Sequence, residues 1–512
     1  MNIRKQSGLV IMIVGMVAIT LALAGQITTL AAEPTPTAIV TPEAQNALIT
    51  TFLTFVYKSG NVVTNAGFIE HAGMLLDYTG AGSCVECHAT EVHQFSISNH
   101  YLWEGKFGAI NDFCGYPDIN FGPAKLTNAS GTLLDGGCAT CHAGMGERPT
   151  ADNPFNGDCL TCHAQDYRRT ATLTADGWRF VPDRANMPAT ITIQADPSRF
   201  SCLTCHAYAG GGCNNKRGDM SDALINPTPE IDVHMGNGML CSDCHLEQSH
   251  LIAGRGVDMR VSEGVAMRPC TDCHTPDTDH TPEVQQHLAK VACQSCHIPT
   301  FARSVSTDMF RDYRAVEVNE RGLYEPAIIR GLDVIPEYTF WNGASGFYNF
   351  GDPATPGQAL AWPLGDIMDG MLYPFKLHTA ILPQDPVTGA LIPVKSGILF
   401  QTGNIDQAIL VGAAEAGFNL TQGYTFLETT RWMSISHEMP PAAQVLQCAE
   451  CHEATDRMDF SALGYDPVET RNGEPLCTSC HNPGPSLNFY ETHEQHVDVE
   501  NIACAECHTF SR

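Results

Sequence analysis

Residues 136–163 read GGCATCHAGMGERPTADNPFNGDCLTCH, and the two Cys-x-x-Cys-His pentapeptides in this short stretch decide how the chain is built. The pentapeptide recurs until it has taken all but two of the 22 cysteines. The copies are Cys84, Cys87 and His88; Cys138, Cys141 and His142; Cys159, Cys162 and His163; Cys202, Cys205 and His206; Cys241, Cys244 and His245. They continue with Cys270, Cys273 and His274; Cys293, Cys296 and His297; Cys448, Cys451 and His452; Cys477, Cys480 and His481; Cys504, Cys507 and His508. Each is the attachment signature of a c-type haem: two thiols add to the vinyl groups, and the adjacent histidine takes the iron from the proximal side. Zinc sites also pair cysteines but need no histidine directly after the second one. Thioredoxin-like motifs occur once or twice per domain, and disulfide scaffolds belong to much shorter chains. The motifs therefore predict ten covalently bound haems with their iron.

Ten macrocycles replace side chains as core. The expected fold is mainly α with extensive irregular structure, its polypeptide wrapped around haems in short helices and loops. The 45 glycines and 31 prolines supply the turns. Seven motifs fill residues 84–297, a seven-haem core, and three fill a C-terminal segment, 448–512. Between them, 298–447 is too long for a plain loop and reads as a haem-free irregular domain packed on the core. Shielding of haem edges, a substrate channel and an interface are all open roles for it.

Arg4 and Lys5 precede an apolar run from Gly8 to Gly25, so residues 1–32 read as a signal peptide or a retained membrane anchor. Residues 33–83 follow as a Pro-rich linker and an N-terminal helical segment. Either reading of the leader sends the rest of the chain out of the cytoplasm, to the periplasm or cell surface. The net charge of −28 argues against nucleic acid as a partner. A redox partner protein or a quinol-linked donor fits an exported electron carrier.

A c-type iron that does no chemistry needs a sixth ligand. Eleven histidines lie outside the motifs: His71, His93, His100, His234, His250, His280, His287, His378, His437, His493 and His496. That supply nearly matches the haem count, so most irons are expected to be bis-histidine and closed to substrate.

From about His71 to Asp466 the chain resembles the octahaem tetrathionate reductase family, related to octahaem nitrite reductases and hydroxylamine oxidoreductases. The resemblance is carried by SNHYLWEGK (98–106), INDFCG (110–115), CHAYAGGGCNNKRGDM (205–220), DVHM (232–235) and CSDCHLEQSH (241–250). It continues in VACQSCHIPTFAR (291–303), PEYTFWNG (336–343), YPFK (373–376) and ISHEMPP (435–441). The resemblance implies that one haem, attached at Cys138, Cys141 and His142, is capped by a lysine, here Lys216, and is the site of chemistry. A neutral amine is displaced from iron more readily than an imidazole. The resemblance also implies Cys114 beside that haem, where a thiol can engage a sulfur substrate, with Asn111 and Asp112 to hydrogen-bond or pass a proton. It further implies His71, His100, His234, His250, His280, His287 and His437 as the other distal ligands. The two extra C-terminal motifs would draw on His493 and His496, leaving His93 and His378 unassigned.

Two residues depart from the family pattern. Cys213 stands where glycine is common, and could pair with Cys114 as a disulfide or remain a separate thiol. Arg217 stands where histidine is expected and would make the pocket attractive to anions. The leading expectation is a reductase of a small inorganic anion or other sulfur or nitrogen substrate: tetrathionate, nitrite or hydroxylamine. Oxidation of reduced nitrogen compounds and a non-catalytic decahaem conduit are the alternatives.

Overall fold

The computed structural model describes residues 78–102, 124–136, 140–187 and, apart from a few positions between 257 and 262, 193–452; shorter pieces follow between 454 and 510. The chain divides into two units, 1–68 and 69–512, and the first lies wholly outside the described residues. The expected leader falls there. Among the described residues no helix is long and apolar enough to cross a membrane.

Through the motif-bearing stretch, regular structure consists mainly of short helices. Leu160–His163, Arg199–His206, Cys241–Cys244, Cys293–His297 and Cys448–His452 are helical, each holding most or all of a pentapeptide. The reason is geometric: one helical turn puts residues three apart on one face, so both thiols point the same way. Between the helices runs a hairpin, Arg169–Thr174 against Gly177–Pro182. Its Arg169 forms a buried ion pair with Asp158 at 2.9 Å and donates to the carbonyls of Thr140, His142 and Gly144. Asp158 also accepts from the hydroxyls of Tyr78 and Tyr167. A polar clamp thus fixes the backbone around His142.

Residues 307–434 depart from the irregular domain expected. They form a six-stranded sheet from β1 (Thr307–Val318), β2 (Tyr324–Gly331), β3 (Glu337–Trp341), β4 (Gln358–Ala359), β5 (Met371–Gln384) and β6 (Thr425–Ser434). The order is β4-β6-β5-β1-β2, with β3 also on β5. The central pair β5 and β6 is antiparallel from Phe375↔Ser434 to Gln384↔Thr425, while β5 and β1 are parallel. β6 (TFLETTRWMS) has the β-branched and aromatic content that strands favour. Helices α1 (Ser396–Thr402) and α2 (Ile405–Glu415) complete a core of Tyr313, Leu382, Leu391, Ile392, Leu399 and Ile409. α2 packs so tightly that a Cβ at Gly412 would lie 2.1 Å from the Pro393 carbonyl oxygen. The expectation of a mainly α chain is therefore met in part: helices and loops carry the motifs, and strands dominate between them.

Candidate functional site: paired histidines and the loop that joins them

The short motif helices bring histidines from distant parts of the chain face to face. Five pairs of ring centres lie 6.0–6.2 Å apart: His206 with His100, His163 with His250, His274 with His234, His245 with His437, and His297 with His280. In each pair one ring belongs to a pentapeptide and the other does not. A metal–imidazole bond of ~2 Å on each side, plus ~1.1 Å from nitrogen to ring centre, spaces two axial imidazoles by ~6 Å. The donor set therefore fits one haem iron between each pair. Burial lowers the pKa of His100, His206, His245, His250 and His297, which favours the neutral, metal-binding form.

The attachment cysteines add the neighbour relations. Thiols lie near enough to perturb one another's titration at Cys84–Cys159, Cys141–Cys205, Cys202–Cys241 and Cys270–Cys293. The motif at Cys202 thus neighbours the one at Cys138 through Cys205 and the one at Cys241 through Cys202. With haem attached these thiols become thioethers and no longer titrate.

The remaining expected ligands are less fully described. His71, Asn111, Asp112, Cys114, Cys138, Cys477, Cys480, His481, His493 and Cys504 lie outside the described residues, as do the side chains of His452 and His508. His287 is exposed, and His496 places Nδ1 2.7 Å from the Thr492 carbonyl. His142 is buried with Nε2 2.6 Å from the Tyr101 carbonyl, one residue from His100. Of the two unassigned histidines, His93 is exposed, whereas His378 is half-buried with Nε2 3.1 Å from Asp308 Oδ1. A structural partner accounts for His378.

The Gly-rich loop carrying Lys216 is gripped by the sheet. Lys376 of β5 is fully buried and donates to the carbonyls of Asn215 (2.8 Å) and Lys216 (3.0 Å) and to Thr307 Oγ1 (2.6 Å). Burial pushes its pKa down to about 7 despite the pull of Asp308. Thr307 donates to the Asn214 carbonyl at 2.6 Å, and Arg311 to that of Gly210 at 3.1 Å. Lys216 itself is half-buried, its N–H on the Ala209 carbonyl. Cys213 is in no disulfide; burial raises its thiol pKa to about 11, and its sulfur accepts from Asp222 N–H at 3.5 Å.

Arg217, expected to attract anions, has partners of its own within the fold. Its guanidinium donates to the Ser434 carbonyl at 2.6 Å and lies 3.4 Å from Asp219, so much of its charge is committed within the fold. Asp219, Lys376, Arg169 and Asp158 were not singled out by sequence reasoning. The only signal for Asp219 is its place in KRGD.

Motif helices, opposed imidazoles and neighbouring attachment cysteines define a multihaem c-type cytochrome. A family model described as bacterial cytochrome c matches residues 327–455. The crystal structure of an octahaem cytochrome c from Shewanella oneidensis shares the fold with a TM-score of 0.57 at 24% identity, over 80% of this chain and 96% of that one. The chain belongs to the same family as an uncharacterised protein of Archaeoglobus fulgidus. The two are 30% identical over 253 residues, covering 40% of this chain and 84% of that protein.

Proposed function

We propose that this protein is a ten-haem c-type cytochrome oxidoreductase, exported from the cytoplasm, that delivers electrons to a lysine-capped site at Cys138, Cys141 and His142. There it reduces a small inorganic sulfur or nitrogen substrate, with tetrathionate, nitrite and hydroxylamine the candidates. Haem, when bound, supplies the iron that takes up and passes on electrons. The observation that carries the reading is the set of five imidazole pairs. Each pair would hold a haem from both sides and close it to substrate, which would suit transfer and leave catalysis to a site with a weaker ligand.

The chain's residues support each half. The thiol proximities lay out neighbours in the order Cys241, Cys202, Cys138. The grip of Lys376, Thr307 and Arg311 fixes the backbone from which Lys216 would reach, while Arg169 fixes the backbone of the proximal His142. Cys114, Asp112 and Asn111 are proposed beside the substrate, and His71, His287, His493 and His496 as further distal ligands. The five-segment division, the redox partner or quinol-linked donor, and the N-terminal anchor or signal are kept as part of the same proposal.

Magnetic circular dichroism and EPR of the oxidised protein, before and after nitrite or hydroxylamine, test it. One haem of lysine or high-spin character should respond while the others stay silent. A Lys216→His variant should lose turnover with its haem content intact; turnover that survives the change removes Lys216 from the site. A non-catalytic conduit is the second reading, favoured by the closed pairs, and it predicts that no haem responds.

A further inference from the structure

The five histidine pairs are not equivalent, and the difference is concentrated at one of them. Ring planes cross at 62–85° in four pairs but lie within 12° of parallel in His245–His437. The hydrogen bonds behind the rings differ as well. His163 and His245 face the carbonyls of Gln194 (3.0 Å) and Ala253 (2.8 Å), and His280 faces that of Pro276 (3.0 Å). His250 faces the amide oxygen of Gln94 at 3.4 Å. His437 instead places Nδ1 3.1 Å from Oδ2 of Asp219, a carboxylate with no exposed surface.

Asp219 has no freedom to leave. Its Oδ2 also accepts from the backbone N–H groups of Ser436 (2.7 Å) and His437 (3.0 Å). The preceding Gly218 adopts φ +87°, where a Cβ would press to 2.8 Å from the Phe301 ring, and its carbonyl accepts from Ala302 N–H at 2.7 Å. The Arg217 guanidinium, 3.4 Å from its Oδ1, supplies the counter-charge within the fold.

A carboxylate accepting the outer N–H of a ligand histidine fixes its tautomer, aims Nε2 at the metal and makes the imidazole a stronger donor. A stronger donor and a fixed negative charge both favour the oxidised iron, which lowers its potential. We propose that Asp219 is a positioning residue that sets the redox potential of the haem held between His245 and His437, making it the lowest-potential member of the described pairs. This rests on the haem reading of the pairs and not on any substrate. It also gives the 209–219 loop a second task. The segment that presents Lys216 to one site tunes the electron relay two motifs upstream of it.

The near-parallel planes provide the handle for a test. Parallel imidazoles split the two iron orbitals they overlap, whereas crossed imidazoles leave them nearly degenerate. Among the five pairs this haem alone should give an ordinary rhombic low-spin EPR signal, the others broad large-gmax signals. Redox titration of that signal in the ten-haem protein should place it lowest. Asp219→Asn should raise its midpoint by at least a tenfold change in the one-electron reduction constant, ~59 mV. Arg217→Gln, which strips the counter-charge and leaves the Asp219–His437 bond, should lower it, and decides the matter if the first variant does not load haem. Midpoints unmoved in Arg217→Gln, or in a haem-replete Asp219→Asn, would reduce Asp219 to a backbone cap and overturn the proposal. Absence of any rhombic signal from wild-type protein would count against the pairing itself, which separates the two failures.

Discussion

The stretch from Cys84 to His297 and the sheet from Thr307 to Ser434 are held by opposite means. In the sheet, Leu382, Leu391, Ile392 and Ile409 are fully buried in one apolar cluster between strands and two helices. Among the described residues of the motif stretch the apolar clusters are smaller and separate, from Tyr78, Met145, Leu160, Ala164, Tyr167 and Phe180 down to Leu203, Ala207 and Leu224. The backbone is fixed instead by charged clamps, Arg169–Asp158 above all, and by histidines that face one another across the width of an iron. A segment that leaves its core to cofactors cannot complete its fold without them, whereas a sheet with its own apolar core can. The sheet then serves as the rigid side from which Lys376, Thr307 and Arg311 hold the loop next to the haems.

Four measurements would break or sharpen this contrast. The largest effect is expected from expressing the whole chain without haem attachment. Limited proteolysis followed by mass spectrometry should find cleavage throughout 84–297 and protection across 307–434; equal protection of both would end the distinction. Next, Arg169→Met leaves Asp158 buried without its partner, and should cost about 3–5 kcal/mol in denaturant unfolding of the motif stretch. Leu382→Ala, in the sheet, should cost about 2–5 kcal/mol as a cavity while haem content stays constant.

The smallest expected effect is acid sensitivity of the sheet. Burial would raise the carboxyl of Asp308, but Arg311 and His378 hold it down to about 2. A folded-state pKa below the unfolded one stabilises above the unfolded value, near 3.9, and that support is lost as pH falls towards 2. The Asp308 contribution to the sheet's unfolding midpoint should therefore be flat above about pH 4 and fall below it, separate from the losses at higher pH that the lowered pKa values of Lys376 and His378 add. Asp308→Asn should remove that dependence, and a slope unchanged by the substitution would assign it elsewhere.

The motifs and the approximate supply of distal histidines are legible in the sequence because thioether chemistry demands a fixed local spacing. The pairing is not, since His437 meets His245 across nearly two hundred residues and no local pattern encodes that. The sheet was hidden for a different reason. β1 is interrupted by bulges between Asp308 and Phe310 and between Asp312 and Val316, and Gly- and Pro-rich turns separate its neighbours. The alternation that marks a strand is broken at the positions where an unaided reading would look for it. The ties of Arg217 to Ser434 and Asp219 are invisible in the sequence because these residues become neighbours only through the fold.

The pairing of motif histidines with distant ones is the claim on which the rest stands, and near-infrared magnetic circular dichroism of the oxidised protein tests it most directly. That spectrum reports the axial ligands of low-spin ferric haem, and the pyridine haemochrome assay supplies the haem count. The account predicts bis-histidine intensity for at least the five described pairs, with a distinct lysine–histidine band for one haem. Histidine–methionine bands, or predominantly high-spin iron, would contradict it.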